Sequence, residues 1–378
     1  MKNPTRPTIH RRRLLQQGAA AGLLAPLLGA LPARAQDAPR RFAPQRADWR
    51  SFEVSTTVTV ADPQGTSRVW IPAPSVETDY QRSVDSSWSG NATQAAMVSD
   101  PARGVRMLYA EFAPSVSAPT ITLVSQVRTR NRAVDWSHSE PVREDPATLR
   151  AALAPAELIP LDGIVRKTAT EATRGAHTDL EKVQALYRWV VANAHREPKV
   201  RGCGTGDIKA MLETGDLSGK CADLNALFVG LCRAVGVPAR DIYGVRLAPS
   251  AFGYRELGAN PANLKGAQHC RAEVFLKAHG WVAMDPADVL KVMRQETPDW
   301  IKDPAHPLIA PVMQGLFGAW EGNWLAYNTG HDVTLPHAAA KGTLPFLMYP
   351  NGENSSGRFD ELAPDAFRYT ISARELKA

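Results

Sequence analysis

The sequence predicts an α+β protein in which an all-β, sandwich-like region precedes a mixed region of helices and antiparallel strands. Between Trp49 and about residue 134, alternating runs rich in Val, Ile and Thr are separated by turn residues, a pattern typical of antiparallel strands. After about residue 140 the apolar residues recur at helical spacing instead. Strand patterns return between residues 239 and 286.

The first region, residues 49–140, is predicted to be a β-sandwich-like domain. Residues 52–60 alternate and are rich in β-branched side chains, and the turn at residues 62–65 follows them. Several strands separated by turns are typical of a sandwich. Further strands are expected at residues 67–72, 105–112 and 120–129. No cluster of residues in this region indicates chemistry.

Residues 141–302 are predicted to form a second domain, the core that contains the helices. The clearest helix covers residues 179–194, and a shorter one is expected at residues 207–212. Residues 249–266 are a loop long enough to be functional. Strands are expected at residues 239–247, 268–277 and 281–286.

Residues 219–240 contain a helix that begins at a cysteine. Gly236 and Pro238 end this helix, since Gly suits the position after the last turn and Pro cannot continue it. Cys221 lies at the start, where free backbone N–H groups and the positive end of the helix dipole favour a thiolate. This position makes Cys221 a candidate nucleophile. The buried face is predicted to comprise Leu224, Leu227, Phe228, Leu231 and Val235.

A nucleophilic cysteine needs a base and a third group that orients the base. His269 begins a predicted strand and is the candidate base. The next strand ends at Asp285, and a hairpin would bring this carboxylate beside the imidazole. The alternatives are a buried structural thiol at Cys221, a strand histidine without a role, and an aspartate that only caps the turn at Pro286.

These segments resemble the transglutaminase-like superfamily, whose pattern is a helix-opening Cys, a His starting a strand and an Asp before Pro. The resemblance spans roughly residues 165–290 and implies a papain-like core, with the Cys helix packed on an antiparallel sheet. It implies thiol acyl transfer by Cys221, His269 and Asp285, with water or an amine as acceptor. Cys270 departs from the small residue usual after the His. The matching blocks are residues 219–223, 234–240, 269–274 and 280–286.

The N-terminal residues 1–35 have the pattern of an export signal. Arginines at residues 11–13 precede an apolar run, and small residues at 33–35 form a cleavage site. The arginines resemble a twin-arginine signal, although Leu14 stands where Phe is usual. A Sec signal or an uncleaved anchor is the alternative. We expect a periplasmic or secreted protein without a membrane span after signal removal, since no other stretch is long and apolar enough.

The formal charge of +6 does not indicate nucleic-acid binding. Residues 1–35 hold six of the 44 basic residues and no acidic residue, so 38 basic and 38 acidic residues remain. The rest of the chain is therefore formally neutral. A peptide or protein substrate, with cell-envelope material as one candidate, is the expected partner.

The four cysteines are too few for a disulfide scaffold. Export permits a bridge, and Cys203 with Cys270 is either a disulfide or two free thiols. Cys232 is expected to pack as a buried apolar residue. No Cys-x-x-Cys occurs and no standard zinc spacing is present, so neither a metal nor a cofactor is expected. Asp223 is interpreted as a first-turn charge rather than a catalytic acid.

The chain ends are predicted to lie outside the two domains. Residues 36–48 are a linker, and residues 303–378 form an aromatic-rich extension of strands and loops. Within it, strands are expected at residues 346–350 and 369–373. Its aromatic cluster either packs in the core or lines a substrate groove. The cluster consists of Trp320, Trp324 and Tyr327.

The sequence therefore predicts an exported enzyme that cleaves or transfers amide bonds through a thioester on Cys221. The oxyanion donors would be the Cys221 N–H and one group within residues 203–218. The alternative is a non-catalytic envelope binding protein that uses the β domain and the aromatic C-terminal segment.

Overall fold

The computed structural model describes residues 40–363 and 367–377. The predicted export signal, residues 1–35, lies outside the described residues, and so do residues 36–39 of the predicted linker. The rest of that linker, residues 40–48, contains no regular element. None of the described helices combines the length and the apolar character that a membrane crossing requires.

Short strands and helices alternate along the described chain. The strands are β1 (Arg50–Val60), β2 (Ser67–Ala73), β3 (Gln81–Gly90), β4 (Gln94–Asp100), β5 (Val105–Phe112), β6 (Thr120–Thr129), β7 (Arg132–Ala133), β8 (His195–Arg196), β9 (Ser218–Gly219), β10 (Ala239–Arg246), β11 (Gln268–Leu276), β12 (Gly280–Met284), β13 (Ala319–Trp320), β14 (Trp324–Asn328), β15 (Asn351–Asn354), β16 (Gly357–Arg358) and β17 (Phe367–Leu376). The helices are α1 (Pro146–Ala151), α2 (Gly163–Ala172), α3 (Asp179–Asn193), α4 (Ile208–Thr214), α5 (Cys221–Ala234), α6 (Pro286–Gln295) and α7 (Ala310–Gly315).

Two antiparallel sheets contain the strands of the first region. One has the order β17-β1-β6-β3 and the other the order β16-β15-β2-β5-β4. Along β1, Phe52, Val54, Thr56 and Val58 are buried while the alternate residues are partly exposed, because successive side chains of a strand point to opposite faces. The buried faces of the two sheets share one apolar core. The all-β architecture expected here is therefore present.

A third sheet, of order β12-β11-β10-β14, forms the platform of the mixed region. Helix α5 packs on β11 and β10, and α2, α3 and α6 pack around α5. All residues of α5 are buried, as expected for a helix surrounded by other elements. This arrangement confirms the α+β class and the packing of the Cys helix on an antiparallel sheet.

The strand predicted at residues 346–350 is wrong. Leu347 and Met348 are buried, but the segment forms no strand, and β15 begins one residue later. The prolines Pro345 and Pro350 bracket the segment, and proline cannot donate a backbone hydrogen bond to a sheet. Helices α2, α6 and α7 have no counterpart among the sequence predictions.

The last strand joins the first sheet rather than a separate C-terminal unit. β17 runs antiparallel to β1 from Ser51–Leu376 to Val60–Phe367, whereas β14 pairs with β10 in the third sheet. Residues after 302 thus contribute to both sheet systems. Whether residues 140 and 302 bound independently folding units stays a prediction.

Ile371→Ala should lower the free energy of unfolding by about 2–5 kcal/mol, because removing a buried aliphatic side chain leaves a cavity. Ile371 is 2% exposed on β17. The matched control Thr370→Ala, on the exposed face of β17, should change the free energy by less than about 0.5 kcal/mol. Urea unfolding measures both. Equal effects would contradict the packing of β17 on the core.

Candidate active site

Cys221 is the first residue of α5 and is 3% exposed. At this position the backbone N–H groups lack helical acceptors, and the helix dipole places positive potential at the thiol. The preceding loop folds over the helix start, where the Ala222 N–H donates to the Cys203 carbonyl at 2.9 Å. The thiol is therefore held in a fixed, largely dry position.

Asp223 fastens that loop to the helix. Its carboxylate accepts backbone N–H groups from Thr205, Gly206 and Lys220, each at 2.9 Å. Gly204 lies against the same carboxylate with a φ of +89°, and a Cβ there would approach Asp223 Oδ2 to 1.7 Å. Asp223 is occupied by structural hydrogen bonds, in agreement with its interpretation as a first-turn charge.

The structure brings the predicted histidine and aspartate together. His269 is the second residue of β11, β12 runs antiparallel to β11, and Asp285 follows β12 directly. His269 Nε2 and Asp285 Oδ2 are 2.7 Å apart, and both residues are buried. Asp285 Oδ1 also accepts the Asp288 N–H at 3.1 Å and caps α6. The carboxylate both caps a helix and contacts the imidazole, so its two proposed roles do not exclude each other.

A second carboxylate, Asp288, was not among the predicted site residues. Its Oδ2 lies 3.3 Å from His269 Nε2. Arg246 Nη2 donates to both Asp288 oxygens at 2.5 and 2.6 Å, and its Nη1 donates to the Leu257 carbonyl. Asp288 could have been found from sequence, because it lies three residues after Asp285 in the first turn of α6. No sequence pattern indicated that Arg246, the last residue of β10, belongs to the site.

Asn225 connects the elements that hold the three predicted residues. Its Nδ2 donates to the Cys270 carbonyl at 2.8 Å and to Asp285 Oδ1 at 3.2 Å. Its Oδ1 accepts the Ala287 N–H at 3.3 Å. One buried amide on α5 therefore bonds to β11 and to the start of α6. Asn225 also lay outside the predicted set.

The pKa of His269 is raised to about 9. Burial favours the neutral ring, but the Asp288 and Asp285 carboxylates outweigh burial and the opposing charge of Arg246. Burial and then Asp288 raise the pKa of Asp285. The pKa of Asp288 lies well below its usual range, because Arg246 and His269 overcome the effect of burial. The imidazole is therefore held as an imidazolium at neutral pH.

Three thiols meet at the helix start, and all four cysteines are free. Hydrogen bonds from Cys203 and Cys270, and then from His269, hold the pKa of Cys221 well below its usual range despite burial. The same contact with Cys221 raises the pKa of Cys203, and burial raises that of Cys270. Cys221 is therefore the thiolate of the group, and Cys203 and Cys270 do not form a bridge in this structure.

The remaining cysteine and the aromatic cluster are packing residues. Cys232 is fully buried, as expected. Trp320, Trp324 and Tyr327 are also buried, and Trp324 Nε1 donates to the His269 carbonyl at 2.9 Å. Of the two interpretations of the cluster, core packing is the one that this burial favours.

The ligand atoms of His269, Asp285 and Asp288 lie within 4.8 Å of one another. Three such groups can hold a cation. Here the guanidinium of Arg246 already occupies both Asp288 oxygens, and its positive charge opposes a cation beside them. The donor set fits a buried hydrogen-bonded ion cluster better than a metal centre.

Cys221 and His269 open onto one cavity of about 500 Å³. Part of its wall comes from the loop predicted to be functional, residues 249–266, through positions such as Asn260 and Asn263. Tyr349 and Tyr369, from the C-terminal segment, close another side. A substrate reaching the thiol therefore contacts parts of the chain that are far apart in sequence.

Comparison with known proteins agrees with this geometry. Residues 166–286 match the family model of the transglutaminase-like superfamily. A Haemophilus influenzae protein, described only as uncharacterized, is 30% identical over 346 residues, which cover 87% of this chain and 92% of that protein. This chain belongs to the transglutaminase-like superfamily.

Two solved structures show weaker likeness. A candidate cysteine protease from Cytophaga hutchinsonii is 16% identical, with a TM-score of 0.48, over 87% of this chain and 99% of that chain. The periplasmic domain of TgpA from Pseudomonas aeruginosa is 16% identical, with a TM-score of 0.36, over 69% of this chain and 76% of that chain. The family assignment depends on the sequence matches.

Cys203→Ala should raise the pKa of Cys221, because the first of the hydrogen bonds that favour the thiolate is lost. Cys203→Ser keeps a donor and should preserve the low pKa. Cys232→Ala, on the same helix but buried away from the thiol group, is the matched control. The pH dependence of iodoacetamide alkylation, followed by mass spectrometry at Cys221, measures the shift. Identical profiles for Cys203→Ala and wild type would contradict the thiol contact.

Proposed function

We propose that the protein is an exported cysteine enzyme that cleaves or transfers amide bonds of a peptide or protein through a thioester on Cys221. The observation that carries this proposal is that Cys221 and His269 open onto one cavity, with the buried Asp285 carboxylate 2.7 Å from His269 Nε2. Family membership supports a thiol-dependent enzyme. If water accepts the acyl group, the enzyme is a peptidase or amidase. If an amine accepts the acyl group, it is an acyltransferase.

In the first step the Cys221 thiolate attacks the amide carbonyl carbon, and the carbonyl electron pair moves to oxygen. His269 then gives its proton to the leaving amine as the carbon–nitrogen bond breaks, which leaves a thioester. In the second step the neutral imidazole takes a proton from water or an amine, which attacks the thioester. Collapse of that intermediate releases the acyl product and returns the thiolate.

Asp285 and Asp288 have separate tasks in this cycle. Asp285 bonds His269 Nε2, which leaves Nδ1 for exchange with the thiol and the substrate. Asp288 is paired with Arg246 and adds negative potential that favours the imidazolium. Neither carboxylate needs to accept the proton, because each acts through the charge and orientation of the ring.

The developing oxyanion needs two donors. The Cys221 N–H at the helix start is one. Within the predicted region 203–218, Thr205 and Gly206 donate to Asp223 and are not available. Gln268 lines the cavity, and its buried Nε2 makes no hydrogen bond of normal geometry to the described protein. We assign Gln268 as the second donor.

The proposed compartment is the periplasm or the extracellular space. The support is the sequence of residues 1–35, with its adjacent arginines, apolar run and small-residue cleavage site. Peptide and protein components of the cell envelope are the substrates that such an enzyme meets there.

Cys221→Ala should abolish amide cleavage, with a loss on the order of a thousand-fold or more, because the thiolate that forms the acyl intermediate is removed. Wild-type protein is incubated with envelope extract, quenched in acid and analysed by mass spectrometry for an acyl adduct at Cys221. Cys232→Ala is the control and should form the adduct normally. Equal cleavage by wild type and Cys221→Ala would exclude the mechanism, and absence of any adduct would favour the non-catalytic binding protein.

The rate of acylation should fall as the pH rises through about 9, because His269 then loses the proton needed by the leaving amine. Asp288→Asn should move this alkaline limb to lower pH. It removes the carboxylate that raises the pKa of His269 and leaves the opposing charge of Arg246 unpaired.

The measurement is kcat/KM against pH on the substrate identified by the acyl adduct. Asp179→Asn, on the exposed start of α3, is the control and should leave the profile unchanged. An alkaline limb that stays in place in Asp288→Asn would show that Asp288 does not act on His269.

A further inference from the structure

Apart from the Cys221 thiolate itself, the cavity in front of Cys221 is lined by charges of one sign. Among the described residues that line it, none is acidic. Five are arginines or lysines, namely Arg196, Lys220, Arg246, Lys265 and Lys291, and the His269 imidazolium adds a further positive charge. The chain after residue 35 is formally neutral, so this clustering is a local property of the site.

Two of the five charges are neutralised by the protein. Arg246 is bound by Asp288. Lys291 Nζ lies 3.3 Å from the carboxylate Oε2 of Glu256 and donates to the backbone carbonyl of the same residue at 2.7 Å. These cations have protein partners and are not required to bind a ligand.

The other three cations face no such partner. Arg196 Nε donates to the neutral Gln295 Oε1 at 3.0 Å. Lys265 lies over the ring of Tyr369, 5.1 Å from its centroid. Neither these two nor Lys220 forms an ion pair with a carboxylate of the described chain.

The cations also repel one another. Burial and then the charge of Arg196 lower the pKa of Lys220, although Cys203, Cys221 and then Glu197 offset part of this effect. Burial, Arg246 and Arg196 lower the pKa of Lys291. Like charges held together in a partly desolvated cavity are unfavourable until an anion binds among them. Stabilising the thiolate is not their main task, because neighbouring thiols and His269 dominate the pKa of Cys221.

We propose that this cavity binds a carboxylate of the substrate beside the scissile amide, so that the enzyme acts on acidic peptides. Lys220 directly precedes the nucleophile, and Arg196 lies close enough to Lys220 to influence the charge of its ammonium group. The two cations therefore place the anion next to the reacting carbon. The carboxylate belongs either to an acidic side chain or to a free C-terminus. The inference rests on the proposed function, since it names the substrate of the same cysteine.

The first test needs no known substrate. Cys221 is alkylated with iodoacetate, an anion, and with iodoacetamide, its neutral analogue, and the rate ratio is compared with that of free cysteine. We expect the wild-type ratio to exceed the free-cysteine ratio on the order of ten-fold at low ionic strength. Salt at about 0.5 M should bring the wild-type rate ratio closer to the free-cysteine ratio, because it screens the cavity charges.

Charge-removing variants locate the effect. Arg196→Gln and Lys220→Gln should each lower the ratio several-fold, whereas Lys167→Gln, which removes an exposed charge on α2 away from the cavity, should not. The imidazolium of His269 is present in every variant, so it cannot cause a difference between them. A ratio that is unchanged in both cavity variants would overturn the anion site.

The second test separates the two sources of the carboxylate. Three synthetic peptide libraries are compared: capped peptides with Glu, the same peptides with Gln, and the Gln peptides with a free C-terminus. If Cys221 cleaves the capped Glu peptides fastest, the bound carboxylate is an acidic side chain. If it cleaves the Gln peptides with a free C-terminus fastest, the bound carboxylate is the chain terminus. Equal cleavage of all three overturns this inference while the proposed function stands. No cleavage and no acyl adduct would instead count against the proposed function, with the alkylation ratio still deciding the anion site.

Discussion

The contact between the His269 ring and two buried carboxylates is the interaction on which the site depends. Burying charges without partners is strongly unfavourable, and removing one member of a buried ion cluster leaves the others uncompensated. Here Asp285 is shared between the imidazole and the N-terminus of α6. Asp288 is shared between the imidazole and Arg246. Each charge has a partner, so the ring keeps its proton inside the protein.

The imidazolium is useful only if the thiolate stays beside it. Helix α5 is buried along its whole length, and Asn225 bonds it to β11 and to the start of α6. Asp223 fixes the loop over its first turn. Side chains on one helix thus hold the nucleophile against the base. In the proposed mechanism the rigid packing of α5 is part of the chemistry, because a shift of about 1 Å between reacting groups can greatly reduce the rate.

The access to this pair is formed by long-range packing. β17 pairs with β1 in the first sheet, and its Tyr369 also lines the cavity. Tyr349 and Cys203 line the same cavity, and Tyr349 partly offsets the raised pKa of Cys203. The same walls collect positive charges from several segments. The β region therefore takes part in the site through the C-terminal strand, and an anionic substrate would contact both regions of the chain.

Much of the core could be predicted from sequence because its signals are local. A helix-opening Cys221, a strand-opening His269 and an Asp285 before proline are each set by neighbouring residues, and a hairpin joins the last two. The pairing of Arg246 with Asp288, the place of Asn225 and the cation-lined wall could not be predicted. They join residues that are distant in sequence, and only tertiary packing decides which buried charges meet. The sequence by itself determined the candidate reacting groups, whereas the tertiary structure decided the charges and the cavity that surround them.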